Sequence, residues 1–267
     1  MKDKVVIITG ASSGIGLAMA KEFAMRNSKV VMAARSEDKL KRIEAELKSK
    51  GLEAYAVRTD VSKMDDCGNL IEKTVEKYGR IDILINNAGI SMRALFDNVE
   101  VDVLKRLMEV NFWGTVYCSK YALPYLVKSR GSLVGVSSLA GFQGLPGRTG
   151  YSASKFALHG LLESIRVENL KNGLHVMILI AGFTKSEIRK RALNKNGEPQ
   201  GYTPRDEEKH MMPEQVAKAL IKALKKKKRN KIMTLEGQLL ALFQRIIPTA
   251  CDRVSYRRLS REQDSPF

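Results

Sequence analysis

Tyr151 and Lys155 are the first side chains whose types and spacing suggest chemistry. They lie in "GYSASKFALHG", residues 150–160, which reads as the start of a helix. Residues four apart on a helix share a face, so the ammonium comes beside the phenol. A nearby cation favours phenolate and pulls a tyrosine down from its ordinary value of about 10. The expectation is a general acid–base working near neutral pH. Tyr–Lys pairs at this spacing also occur on ordinary helix surfaces, so the pair needs a partner feature.

That feature is "TGASSGIG", Thr9 to Gly16, between a strand-like run and a helix-like one. Glycines at Gly10, Gly14 and Gly16 let the backbone turn tightly and approach a pyrophosphate. The helix N-terminus then offers N–H groups and a positive dipole end. A purely structural strand-to-helix turn is the competing reading. A carboxylate at the end of the second strand would bind ribose hydroxyls and repel a 2′-phosphate. The chain has Ala34-Arg35-Ser36 there. Arg35 and Ser36 suit a phosphate, which favours NADP(H) over NAD(H). The alternative is an arginine at a strand end on the surface.

The elements that must position these groups alternate along the chain. Apolar, β-branched runs fall at 4–9, 29–34, 53–58, 81–86, 132–137 and 175–180, with a weaker seventh at 231–235. Their near-continuous apolar character marks strands covered on both faces. Helical segments separate them. Ile15, Met19 and Phe23 keep helical spacing over 14–27, and 36–51 runs from a capping Ser36 to Gly51. Right-handed crossovers then give an α/β fold, a single doubly wound Rossmann-type parallel sheet of about seven strands. Residues 1–235 make this domain, 183–212 read as a lid over the substrate, and 236–267 form a basic and apolar C-terminal extension.

The chain has 267 residues and a net charge of +17. No apolar run reaches membrane-spanning length, and no presequence precedes the first strand, which suggests a soluble cytoplasmic protein. Cys67, Cys118 and Cys251 are far apart in sequence and read as reduced packing residues, with no metal site. The run Lys225–Arg229 reads first as a solvated helix end. An anionic membrane surface comes next. No aromatic residue interleaves the lysines, so no nucleic acid is expected.

The residues now in hand resemble those of the short-chain dehydrogenase/reductase family. "TGASSGIG", Asp60-Val61, "NNAG" (86–89), Asn111, Ser138 and Tyr151-x-x-x-Lys155 match its order and spacing over roughly residues 4–235. The resemblance implies that Gly10, Ser12, Ser13, Gly14, Ile15 and Gly16 hold the pyrophosphate end of the cofactor. Asp60 and Val61 sit by the adenine, and Asn87, Ala88 and Gly89 by the ribose. Thr184 and Ser186 hold the carboxamide. It implies catalysis by Asn111, Ser138, Tyr151 and Lys155, with Tyr151 giving the proton, Ser138 polarising the carbonyl, Lys155 also holding ribose hydroxyls, and Asn111 binding a relay water. Between the two serines, Ser137 would point to the other side of the strand. The family's Pro-Gly after the sixth strand is Ala181-Gly182 here, which should loosen that turn.

The activity implied is interconversion of a ketone or aldehyde with an alcohol. Candidate substrate walls are Ser91, Met92, Arg93, Leu139, Phe142, Gln143, Leu145 and the lid, which favours an apolar, lipid- or steroid-like compound. In the tail, Leu239, Leu242, Phe243 and Ile246 share a helical side. They would pack on the body or insert shallowly into a bilayer whose anionic lipids meet the arginines. Family members usually dimerise through the helices bearing Asn111 and Tyr151, so a homodimer or homotetramer is expected. The competing function is a non-catalytic NADP(H)-binding regulator or membrane-surface protein.

Overall fold

The computed structural model describes residues 1–203, 210–261 and 265. Seven parallel strands form one sheet in the order β3-β2-β1-β4-β5-β6-β7. They are β1 (Val5–Thr9), β2 (Lys29–Ala34), β3 (Ala54–Arg58), β4 (Ile83–Asn86), β5 (Ser132–Ser137), β6 (His175–Ile180) and β7 (Asn230–Ile232). The order reverses between β1 and β4. In a doubly wound sheet that reversal opens a crevice beyond the strands' C-terminal ends.

Alternation along the strands feeds two cores. Val6 and Ile8 of β1 join α1 (Gly14–Ala24), α2 (Glu37–Ser49) and α7 (Pro213–Lys225) on one face. Ile7 joins α3 (Met64–Tyr78), α5 (Gly114–Lys128) and α6 (Thr149–Glu168) on the other. Each fully buried aliphatic or aromatic side chain contributes about 1.5–3 kcal/mol. Met19 and Phe23 of α1 are fully buried, as their spacing predicts. The expected strand runs match β1 to β6 within two residues; β7 is shorter and starts one residue earlier.

Two close approaches set the site. Gly135 of β5 lies under α6, where an added Cβ would stand 2.3 Å from Leu162. This draws the helix bearing Tyr151 onto the strand. Between α4 (Val101–Met108) and α5, residues Glu109–Trp113 form a π-helical turn. Such a turn carries one residue more than the α-helix and re-aims its side chains.

The tail folds as α8 (Leu235–Ile246) and α9 (Pro248–Leu259). It packs on the body: Gly237 abuts Leu139 and Ile232, and Gln143 Nε2 donates to Asp252 at 3.3 Å. Cys251 and Leu259 are buried. Among the described residues, no helix is long and apolar enough to cross a membrane.

Candidate active site

A cavity of about 720 Å³ opens at the sheet reversal. The β1–α1 turn forms one end. Gly10 (φ +66°) occupies the left-handed region, and a Cβ on Gly16 would stand 2.2 Å from the Gly10 carbonyl oxygen. Only glycine folds the chain back this tightly. Ser13 precedes α1 in an extended conformation and supplies no side-chain cap. The first N–H groups of α1 thus lack intrahelical partners at the cavity wall.

Neighbouring turns are tied to this one. Thr9 Oγ1 accepts from the backbone N–H of Asn87 and of Ala88, both at 3.0 Å. Asn87 Nδ2 donates to the Thr9 carbonyl at 2.9 Å. Arg35, Ser36 and Lys39 line the far end of the cavity. The expected side-chain cap by Ser36 is not made, and the residue lines the cavity. Asp60 also lies here, but its Oδ1 accepts from Ser62 Oγ at 2.8 Å and Ser62 N at 3.1 Å.

Tyr151, Lys155 and Ser138 line the middle of the same cavity. Ser138 Oγ accepts from Ala140 N at 3.3 Å, and the serine lies near enough to the Tyr151 phenol to favour its ionised form. Lys155 Nζ stands 5.7 Å from the Tyr151 ring centre and donates to the Val136 carbonyl at 2.9 Å. Burial brings the lysine down to about 8. The Tyr151 phenol is not lowered as the pair alone suggested. Burial raises it, against smaller lowering contributions from Ser138, Arg148 and Arg189. Desolvation outweighs the favourable neighbours, and the ammonium sits on a carbonyl rather than on the phenol oxygen.

Asn111 lies in the π-helical turn and is buried outside the cavity wall. Its Oδ1 accepts from Ile90 N at 2.8 Å, and its Nδ2 donates to Ile90 O at 3.0 Å and Ser154 Oγ at 2.9 Å. The side chain therefore clamps the loop after β4, with both amide protons committed.

The residues expected at the cofactor all line this cavity: Gly10, Ser12 to Gly16, Arg35, Ser36, Asp60, Val61, Asn87 to Gly89, Tyr151, Lys155, Thr184 and Ser186. Among the expected substrate walls, Ser91, Leu139 and Leu145 line it too. Met92, Arg93, Phe142 and Gln143 do not. Met92 is fully buried with Val103, Leu107 and Leu193. Arg93 donates to the Tyr202 hydroxyl at 3.0 Å. Phe142 packs edge-on against His159, and Gln143 is buried toward Asp252.

The 183–212 segment contributes Phe183, Thr184, Ser186 to Arg189 and Arg191 to the wall. Its middle is fastened down: Leu193 N donates to Ser91 O at 2.9 Å, and Arg93 N to Leu193 O at 2.8 Å. Pro204 to Lys209 lie outside the described residues. The Ala181-Gly182 turn uses glycine at φ +65°, and Thr184 Oγ1 donates to Ala181 O at 3.2 Å.

Sequence reasoning missed much of the remaining wall. Lys39 stands four residues after Arg35, a spacing that could have signalled a shared side. Leu239, Leu240, Phe243, Ile247 and Val254 of the tail line the cavity mouth. Leu242 and Ile246, expected on the same side, are instead turned to solvent at 54% and 64% exposure. Arg258 pairs with Glu236 and lies 5.1 Å from the Phe183 ring centre. This joins α8, α9 and the 183–212 segment. Cys67 and Cys118, distant in sequence, are buried in the same core between α3 and α5, and Cys67 Sγ donates to Val61 O at 3.5 Å.

Known proteins share this architecture. A family model described as short chain dehydrogenase matches residues 4–197. The 11-beta-hydroxysteroid dehydrogenase A of Arachis hypogaea is 43% identical over 73% of this chain and 56% of its own length. The first curated relatives are thus matched over only about half their length. An uncharacterized oxidoreductase of Bacillus subtilis, YxnA, is 35% identical over 98% of this chain and 74% of its own. An alcohol dehydrogenase of Thermococcus sibiricus, solved with 5-hydroxy-NADP, superposes with TM-score 0.75 at 27% identity, covering 88% of this chain and 96% of that one. A short-chain dehydrogenase from Streptomyces avermitilis gives TM-score 0.82 at 25% identity over 98% of both chains.

Proposed function

Because the chain belongs to the short-chain dehydrogenase/reductase family, we propose that it is an NADP(H)-dependent oxidoreductase interconverting an apolar ketone or aldehyde with its alcohol. One observation carries this reading. The glycine turn, the Tyr151–Lys155–Ser138 group and an apolar mouth all line one continuous cavity.

The residues fit a dinucleotide. The Gly10–Gly16 contact leaves no room for a side chain and presents backbone at the N-terminus of α1. Arg35, Ser36 and Lys39 at the far end suit a 2′-phosphate, while Asp60 is engaged with Ser62. Thr184 and Ser186, on the wall of the same cavity, would hold the carboxamide. The cofactor, when bound, supplies or accepts the hydride. Tyr151, kept protonated by burial, gives its proton to the alkoxide oxygen during reduction and takes it back during oxidation. Ser138 donates a hydrogen bond to that same oxygen as charge develops. Lys155 holds positive charge behind the phenol and has donors left for ribose hydroxyls. Asn111 serves by fixing the loop after β4, and a relay water at it would have to share a backbone carbonyl that already accepts from Thr115 Oγ1 at 3.1 Å.

Leu239, Leu240, Phe243, Ile247 and Val254 at the mouth support a lipid- or steroid-like substrate. Relatives named hydroxysteroid dehydrogenases support the same class. Outward-facing Leu242 and Ile246 of α8, followed in sequence by the arginines of α9, support contact with an anionic membrane surface. Exposed Trp113 and Phe156 near the starts of α5 and α6 support a homodimer through those helices.

The test is consumption of NADPH and of NADH with ketones of increasing chain length, steroid and ketosphingoid types included. Turnover should prefer NADPH and rise with apolar size. Tyr151→Phe should lower it by about 10²-fold or more. Tight NADPH binding without turnover on any ketone would overturn catalysis and favour a non-catalytic regulator.

A further inference from the structure

His159 is a part-buried titratable group that the mechanism above does not use. It lies one turn beyond Lys155, so Tyr151, Lys155 and His159 follow one another at four-residue steps along one side of α6. Each meets a different residue at the end of β5. Tyr151 comes beside Ser138 just past the strand, Lys155 Nζ donates to Val136 O at 2.9 Å, and His159 Nε2 lies 2.7 Å from Ser137 Oγ. Two adjacent residues at the end of β5 are thereby tied to two successive turns of α6. Ser137, on the side of the strand away from Ser138, is buried and committed to this contact.

The surroundings preserve the third contact. The Phe142 ring stands edge-on to the imidazole, 5.0 Å between centres at 77°. Gly141 crosses directly over it: an added Cβ would lie 2.7 Å from His159 Nε2 and 2.9 Å from Ser137 Oγ. Burial pushes His159 down to about 4, with Glu163 acting against it and Lys155 and Arg166 with it. The ring is therefore neutral through the physiological range and keeps one nitrogen for Ser137 without adding a second cation beside Lys155.

We propose that His159 is a positioning residue that acts through Ser137 to lock the register of α6 against β5, and so sets the placement of Lys155 and Tyr151 relative to Ser138. The inference rests on the oxidoreductase reading for its catalytic consequence but not for its geometric one. Without the contact, this side of α6 keeps only the Lys155 tie to the strand end, and water reaches the slot that holds Lys155.

The test uses His159→Leu, His159→Gln and Ser137→Ala in the full chain, with folding checked by thermal unfolding. Lysine Cε resonances of ¹³C-labelled protein are followed against pH, with Lys155 assigned by its loss in Lys155→Met. The wild type should titrate near 8. His159→Leu and Ser137→Ala should move Lys155 toward the ordinary value of about 10.4, and His159→Gln should restore most of the shift. Turnover with NADPH should show kcat down by about tenfold with KM little changed.

An unmoved Lys155 in a folded His159→Leu protein overturns the proposal whatever happens to turnover. A moved Lys155 with unchanged kcat overturns its catalytic part. If the wild type reduces no ketone, the oxidoreductase reading fails while the titration still decides this one. If His159→Leu does not fold, Ser137→Ala carries the same expectations by deleting a single oxygen.

Discussion

At the scale of single residues, the site contains two groups whose charge is set by burial rather than by a partner. Lys155 illustrates the consequence. Its folded-state value of about 8 lies below the ordinary 10.5, so the fold disfavours its charged form. Between those values the unfolded chain binds more protons than the folded one, and stability rises with pH across that window. Below about pH 8 the cost of the buried cation is fully present. Urea midpoints of wild type and Lys155→Met at about pH 7.5 and about pH 10, close to the two ends of that window, should show a rise in the wild type that the variant lacks. The Tyr151–Lys155 pairing was legible from spacing and residue type. The direction of the tyrosine's shift was not, because it depends on how much water the folded cavity excludes, which no four-residue spacing records.

At the scale of elements, Thr9 joins two of them. Its hydroxyl at the end of β1 receives two backbone N–H groups from the turn after β4. Thr9→Val keeps the shape and removes the acceptor, leaving both donors without their partner. The expected loss is about 1–3 kcal/mol per stranded group, read as a lower urea midpoint, together with weaker NADPH binding because Asn87 to Gly89 line the cavity. The strands themselves were legible since a parallel strand covered on both faces must be apolar almost throughout. β7 was the least well bounded, being three residues long at the sheet edge. The supposed walls failed where local sequence gives no sign of direction. Met92 and Gln143 sit in loops, and whether such a side chain turns toward the cavity or the core is decided by segments far along the chain, Leu193 for the first and Asp252 for the second. The ties of Lys155 and His159 to the end of β5 were hidden for the same reason.

At the scale of the whole molecule, the cavity is completed by helices that come last in the chain. Leu239 and Phe243, four residues apart on α8, face its mouth. Under the proposed function, Leu239→Ala with Phe243→Ala should raise KM for a long-chain or steroid ketone by about tenfold or more, since each truncated side chain forfeits roughly 1.5–3 kcal/mol of apolar contact when fully covered. KM for a short ketone and NADPH affinity should barely change. Equal losses for short and long ketones would show that the tail supports the fold rather than the substrate.

The reach of the tail also divides the polypeptide as a text. The stretch matching the family model ends at residue 197, and it carries the glycine turn, Ser138, Tyr151 and Lys155. Residues 235–259, which close the mouth, are written after it. Recombination or splicing at a single junction near residue 234 could therefore exchange one recognition surface for another while leaving every proton- and hydride-handling group untouched. A lineage of such chains could diversify what it accepts by rewriting its final paragraph alone.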